Sequence, residues 1–132
     1  MKRECYVASD FDGVCVVNRY PEIGPDIGAD AWLRAVIAMG ASLILYTDRD
    51  GAELDDALRW FKGHGIAIWA TNNNPDQDGW TSSRKVFRHV AIDPTCIGTP
   101  LKQHKSGKAC VDWDILGPAL LRRIAAVLGP RR

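Results

Sequence analysis

Two aspartates one residue apart, Asp10 and Asp12, end the apolar run of YVASDFDGV and are followed at once by Gly13. In an extended chain, side chains two apart point the same way. Both carboxylates are therefore expected to face one pocket, with Gly13 letting the backbone turn behind them. Left unpaired in a buried place, such charges cost several kcal/mol each. Two more polar residues close apolar runs: Thr47 ends ASLILYT and Asp93 ends HVAID. Carboxylates at 10, 12 and 93 that met in one place would repel and hold protons unless a hard cation sat among them. Oxygen ligands of this kind suit Mg²⁺. The Thr47 hydroxyl, with the free N–H groups of a helix starting near Asp50, suits a phosphate oxygen. Lys85, not far before Asp93, supplies positive charge. An aspartate nucleophile, an aspartate acid, Thr47 and Lys85 on the phosphate, and Mg²⁺ make a phosphoryl-transfer site.

Such a site needs several strands whose ends converge. The apolar runs 4–9, 41–47, 66–70 and 89–93 read as strands. Between them, Leu33, Val36 and Ile37 follow helical spacing after Asp30, a candidate N-cap, and Gly40 closes that helix. Leu54, Ala57, Leu58 and Phe61 mark a second helix stopped by Gly63 and Gly65. Leu120, Leu121, Ile124 and Leu128 mark a terminal helix with Pro118 near its first turn. Residues 14–24 read as a short extended excursion, 71–83 as a turn-rich loop, and 94–112 as irregular chain with a solvated basic loop, KQHKSGK. The alternation predicts an α/β fold: a parallel sheet with helices on both faces, three layers in all, in a single domain 1–132. Ligands of such sheets sit beyond the carboxyl ends of the strands, which is where Asp10, Thr47 and Asp93 fall.

With 46% hydrophobic residues the chain can bury a real core. Its net charge of +1, from 17 basic and 16 acidic residues, does not indicate nucleic acid or an anionic membrane as partner. No apolar run approaches the length of a membrane span, and the N-terminus does not read as a signal peptide. Cys5, Cys15, Cys96 and Cys110 include no C-x-x-C pair. They read as reduced thiols rather than zinc ligands, so a cytoplasmic location is expected.

DFDGV, then LILYT, then Lys85 with VAID resemble the four motifs of the haloacid dehalogenase superfamily of aspartate-nucleophile phosphatases. NRYPEIG, LILYTDRDG, ALRWFKGHGI, NNNP and SRKVFRHVAID extend the resemblance, over about residues 5–116, to a small capless bacterial and phage group of hydrolases within it. The resemblance implies a three-layer Rossmann-like sheet without a cap domain. It implies that Asp10 forms an aspartyl-phosphate, and that Asp12 protonates the leaving oxygen, activates water and offers its carbonyl to Mg²⁺. Thr47 would hold the phosphoryl group, Lys85 would neutralise it, and Asp93 would complete the metal site. Arg49 and Asn72 are further candidates for substrate contact. One departure stands out: where the group carries paired acids, this chain has Asp93 followed by Pro94. Asp112 or Asp114 are candidate substitutes for the second acid.

Plainer readings stand beside these. Asp10, Asp12, Asp93 and Asn72 are also ordinary turn formers, Thr47 an ordinary helix cap, and Arg49 an ordinary helix-start arginine. Lys85 is also an ordinary solvated lysine whose role Arg84 or Arg88 could take. The function expected is a Mg²⁺-dependent phosphatase with a phosphorylated small molecule or macromolecule end as substrate. The alternative is a catalytically degenerate relative that binds a phosphorylated ligand or a protein partner; a dehalogenase fits Asp12 and Lys85 less well. Without a lid domain the site should be open unless a homo-oligomeric neighbour covers it, and a face near Trp32 or Trp113 is a candidate interface.

Overall fold

A computed structural model describes residues 4–130. In chain order the elements are β1 (Tyr6–Ser9), β2 (Val16–Arg19), β3 (Glu22–Asp26), α1 (Asp30–Ala38), β4 (Ser42–Leu45), α2 (Gly51–Gly63), β5 (Ala70–Thr71), a one-turn 3₁₀ segment (Pro75–Gln77), β6 (Val90–Ile92), β7 (Leu101–Gln103), β8 (Ala109–Val111) and α3 (Trp113–Leu128). Four strands form a parallel sheet in the order β5-β4-β1-β6. β1 is central and buried along its whole length, as an uninterrupted apolar run predicts. Its register sets Ser9 opposite both Leu45 and Ile92, so three strand ends stand level.

The α/β class is as expected, but the layering differs. Val7, Leu43, Leu45 and Ile92 pack in one cluster with buried residues of all three helices, among them Leu33, Val36, Phe61, Leu120 and Ile124. The opposite side chains, Tyr6, Ala8 and Ile44, meet Val86 instead. All three α-helices therefore cover one face, where helices on both were expected. For α1 and α2, crossover handedness explains it. The steps β1 to β4 and β4 to β5 run the same way across the sheet, so α1 and α2 fall on one side. The return from β5 to β6 must use the other side, and residues 72–89 are too rich in turn formers to coil there. Side chains supply their hydrogen bonds instead. Buried Gln77 donates to the carbonyls of Ser83 (3.3 Å) and Lys85 (3.0 Å) and accepts from the Phe87 N–H at 2.8 Å, while buried Asn74 donates to the Phe87 carbonyl at 2.9 Å. These bonds leave the layer satisfied without a helix.

Other boundaries move for local reasons. The excursion at 14–24 is an antiparallel hairpin, β2–β3. The irregular 94–112 stretch contains a second, β7–β8; all three β7 residues are exposed, so no alternation marked it. Of the strand expected at 66–70 only Ala70 lies in a ladder. Asp30 lies in the first turn of α1, whose N-cap is Ala29. α3 begins at Trp113 with Asp112 as cap, which puts Pro118 inside the helix rather than in its first turn. Trp113 is 2% exposed and donates its indole N–H to the Val14 carbonyl at 2.7 Å. Trp32 lies so close over Gly117 that an added Cβ would stand 2.3 Å from its ring. Both tryptophans thus serve internal packing rather than the exposed face suggested above. Among the described residues no helix is long and apolar enough to cross a membrane.

Candidate functional site

The level strand ends put the polar residues together. Asp10 follows β1 and extends its ladder by one bond, donating its N–H to the Ile92 carbonyl at 2.9 Å. Its Oδ1 accepts from the Phe11 N–H at 2.7 Å. Asp10, Thr47, Asn72 and Asp93 line one cavity of about 320 Å³, together with Tyr46, Asp48, Arg84 and Val86. This lies beyond the carboxyl ends of the sheet, where open parallel sheets bind ligands. Burial pushes the Asp10 carboxyl up to about 6; the Phe11 N–H opposes this, and the charges of Asp93, Asp12 and Asp48 add to it.

Asn72 fixes Thr47. In a left-handed conformation (φ 56°), its Oδ1 accepts from the Thr47 N–H at 2.8 Å and its Nδ2 donates to the Thr47 carbonyl at 3.1 Å. The Thr47 hydroxyl oxygen accepts from the Arg49 N–H at 3.1 Å, closing the turn into α2. Asn72 Oδ1 and one Nδ2 N–H thus position Thr47, while the residue itself lines the cavity.

Arg49 is not available to substrate. Its side chain is buried, and all of its N–H groups are used. Nε and Nη2 donate to Asp12 Oδ2 and Oδ1, both at 2.8 Å. Nη1 donates to the carbonyls of Pro21 (3.0 Å) and Glu53 (3.2 Å), and Nη2 to that of Glu22 (2.8 Å). The guanidinium also lies over the rings of Phe11 and Tyr20. Its hydrogen bonds to Asp12 raise its own pKa against the effect of burial. A planar fork matching a carboxylate is what arginine provides. Here it binds the D-x-D turn, the β2–β3 hairpin and the start of α2 into one unit. Asp12 therefore does not line the Asp10 cavity, although the D-x-D spacing had suggested that both carboxylates would.

Lys85 lines the neighbouring groove, whereas Arg84 lines the Asp10 cavity. Asp93 Oδ1 accepts from the N–H (2.8 Å) and hydroxyl (2.7 Å) of Thr95. Pro94 packs against the turn at Gly13, whose φ is +83° and whose missing Cβ would stand 3.2 Å from Pro94 Cγ. Asp112 is spent on capping α3, and neither it nor Asp114 lines the cavity. Cys15 is buried and its thiol pushed up by that burial, while Cys96 is exposed. Tyr46, Asp48 and Val86 are the cavity residues that sequence reasoning missed; for Asp48, a carboxylate directly after the strand-end Thr47 was the available signal.

Among the described residues no group of three or more His, Cys, Asp or Glu side chains gathers as a metal site. Three carboxylates, Asp10, Asp48 and Asp93, do line the cavity, and the charges of Asp93 and Asp48 both raise Asp10. Asp10 and Asp93, all-oxygen donors at two strand ends, fit Mg²⁺, which keeps several waters and is commonly held by one or two carboxylates plus substrate phosphate.

No family model and no curated protein matches the chain. A solved structure, described as that of a conserved protein coded by a locus from Bacteroides thetaiotaomicron, is similar at 29% identity and a TM-score of 0.74, covering 90% of this chain and 91% of that one. The α/β fold is thus shared over nearly the full length of both chains.

Proposed function

We propose that the protein is a capless phosphatase of the haloacid dehalogenase type, cleaving phosphate monoesters through an aspartyl-phosphate on Asp10. The observation that carries this reading is the convergence of Asp10, Thr47 and Asp93, from three strand ends, on one open polar cavity. A carboxylate oxygen of Asp10 forms a bond to phosphorus as the ester P–O bond breaks, and the departing oxygen takes a proton from Asp12. Water then attacks the same phosphorus and gives its proton to Asp12, and Asp10 and inorganic phosphate are released. Thr47, held by Asn72, donates a hydrogen bond to the phosphoryl group. Arg84, lining the cavity, supplies the positive charge first expected of Lys85.

Asp10 and Asp93, with the Asp12 carbonyl, would hold Mg²⁺, which when bound offsets the combined charge of phosphate and carboxylates. For Asp12 to carry a proton, at least one of its bonds to Arg49 must open, so the acid step requires the Asp12 side chain to turn from Arg49 toward the cavity. That same lock, together with Pro94 in place of the second acid, favours a second reading: a non-catalytic binder of phosphorylated ligands. Phosphate release from an aryl phosphate, with Mg²⁺ and then with a chelator, separates the two. Metal-dependent turnover supports the phosphatase. Phosphate binding without turnover supports the binder.

A further inference from the structure

Beside the Asp10 cavity lies a larger one of about 580 Å³, and the two share Val86 as a wall. A third, of about 310 Å³, links them: it shares Asn72 and Arg84 with the first and Gln77 and Ser83 with the large one. A ligand with its phosphate against Asp10 would reach the large groove by running along the sheet, since His89 in the groove bonds to Tyr6 at the start of β1 and Asp10 follows the end of that strand, about 13 Å away. The charges of the two ends are opposite. The Asp10 cavity has three aspartates and one cation, Arg84, in its walls, whereas the groove has Lys85 and Arg88 and no acidic residue; His89 Nδ1 accepts the Tyr6 N–H at 3.0 Å and adds no charge. In a chain with 17 basic and 16 acidic residues, this is a local sorting of charge. The groove also presents flat aromatic surface. Trp80 is 64% exposed and meets Phe87 edge to face at 5.4 Å. Arg88 is held in place by donating to the Val86 carbonyl at 3.1 Å.

Planar rings beside cations are the pairing that stacks a base and holds a backbone phosphate. A sugar phosphate has no aromatic ring to stack on Trp80, and a phosphopeptide has no second anion at a fixed distance from the first. We propose that the leaving-group half of the substrate is a nucleotide, with its base against Trp80 and Phe87 and a second phosphate between Lys85 and Arg88. This deepens the phosphatase reading and rests on it for the phosphate at Asp10. The overall charge of +1 argued against a general affinity for nucleic acid, and a single nucleotide-sized groove does not require one.

Binding to the Asp10→Asn chain with Mg²⁺ present tests the groove apart from turnover. Adenosine 3′,5′-bisphosphate and ribose 5-phosphate are titrated into that full chain and followed by calorimetry and tryptophan fluorescence. The bisphosphate is expected to bind at least tenfold tighter than ribose 5-phosphate and to quench Trp80. Trp80→Ala and Arg88→Glu should each weaken it at least fivefold, with unchanged melting temperature reporting intact folding. A 5′-phosphorylated dinucleotide forms a further arm: tighter binding than the bisphosphate identifies a nucleic-acid end, weaker binding a free nucleotide, and either supports the groove. Equal affinity for bisphosphate and ribose 5-phosphate, or no loss in both variants, overturns the proposal. Aryl phosphate turnover with no nucleotide preference would defeat the groove alone. Nucleotide binding with no turnover of any ester would defeat the phosphatase alone.

Discussion

At the scale of single residues, Asp10 carries a cost that the proposed chemistry would explain. Its carboxyl is raised to about 6, so the folded state holds a proton that the unfolded chain, near 3.8, releases. Stability therefore falls as pH rises between those values, and the charged form is fully penalised above about 6. Asp10→Asn keeps the acceptor for the Phe11 N–H and removes the charge. It should abolish phosphate release by at least a thousandfold, and thermal melts should show it more stable than the parent at pH 8. The gain, after allowance for solvent screening, is on the order of 1 kcal/mol. At pH 4, where the parent is itself protonated, the difference should vanish. Equal melting temperatures at pH 8 would mean that the carboxylate bears no such cost. Of this site, Asp10, Thr47 and Asp93 were legible because each interrupts an apolar run at a strand end. The role of Arg49 was not: an arginine at a helix start reads as solvated, and its carboxylate partner lies far away in sequence.

At the scale of elements, the β2–β3 hairpin is tied down at two points. Near its turn, Arg49 holds the Pro21 and Glu22 carbonyls. Lysine cannot reproduce a bidentate fork with three further bonds, and the Arg49→Lys change leaves buried acceptors unpaired at about 1–3 kcal/mol each. Urea unfolding should show a loss of roughly 3 kcal/mol, with hydrogen exchange rising across residues 16–26; exchange confined to α2 would contradict the tie. At its far end, Asp26 accepts from the Trp60 indole and faces His64 Nε2 at 2.8 Å, while His64 Nδ1 faces the Trp60 carbonyl at 2.7 Å. Burial lowers the His64 pKa, but hydrogen bonds to Asp26 and Trp60 and the charges of Asp26 and Asp30 outweigh it, so it ends raised. A histidine raised on folding contributes its stability fully below its unfolded pKa and loses it as pH climbs through the folded one. The His64→Ala penalty in urea, under about 1 kcal/mol for so exposed a pair, should thus be larger at pH 6 than at pH 9; a penalty independent of pH would leave only the ring stacking on Trp60. Both α1 and α2 were legible from their 3.6-residue spacing. The hairpins were not, because their pairing rests on backbone bonds and on turns rather than on alternating apolar residues.

At the scale of the whole molecule, one face of the sheet carries three helices and the other a layer of turns stitched by Asn74 and Gln77. The helical face is tightly closed at Gly117, where Trp32 leaves no room for a methyl group. Gly117→Ala should cost about 1–3 kcal/mol as α1 and α3 are forced apart, measured by urea unfolding, and Trp32→Leu in the same chain should recover part of it. No recovery would place the strain elsewhere. The order of the four sheet strands and the three helices was readable from alternation, and the placement of α1 and α2 on one side follows from the order β5-β4-β1-β6, which no local pattern reveals. The turn layer is the part that faces the site, and its irregularity leaves the grooves around Val86 open.

The central claim is that Asp10 attacks phosphorus. Mixing the protein with an aryl phosphate and Mg²⁺, quenching in acid within the first turnover and mapping peptides by mass spectrometry tests it directly. The account expects one phosphoryl group on the peptide containing Asp10, absent in Asp10→Asn. Turnover that leaves that peptide unmodified, or a phosphoryl group found on another residue, would contradict it.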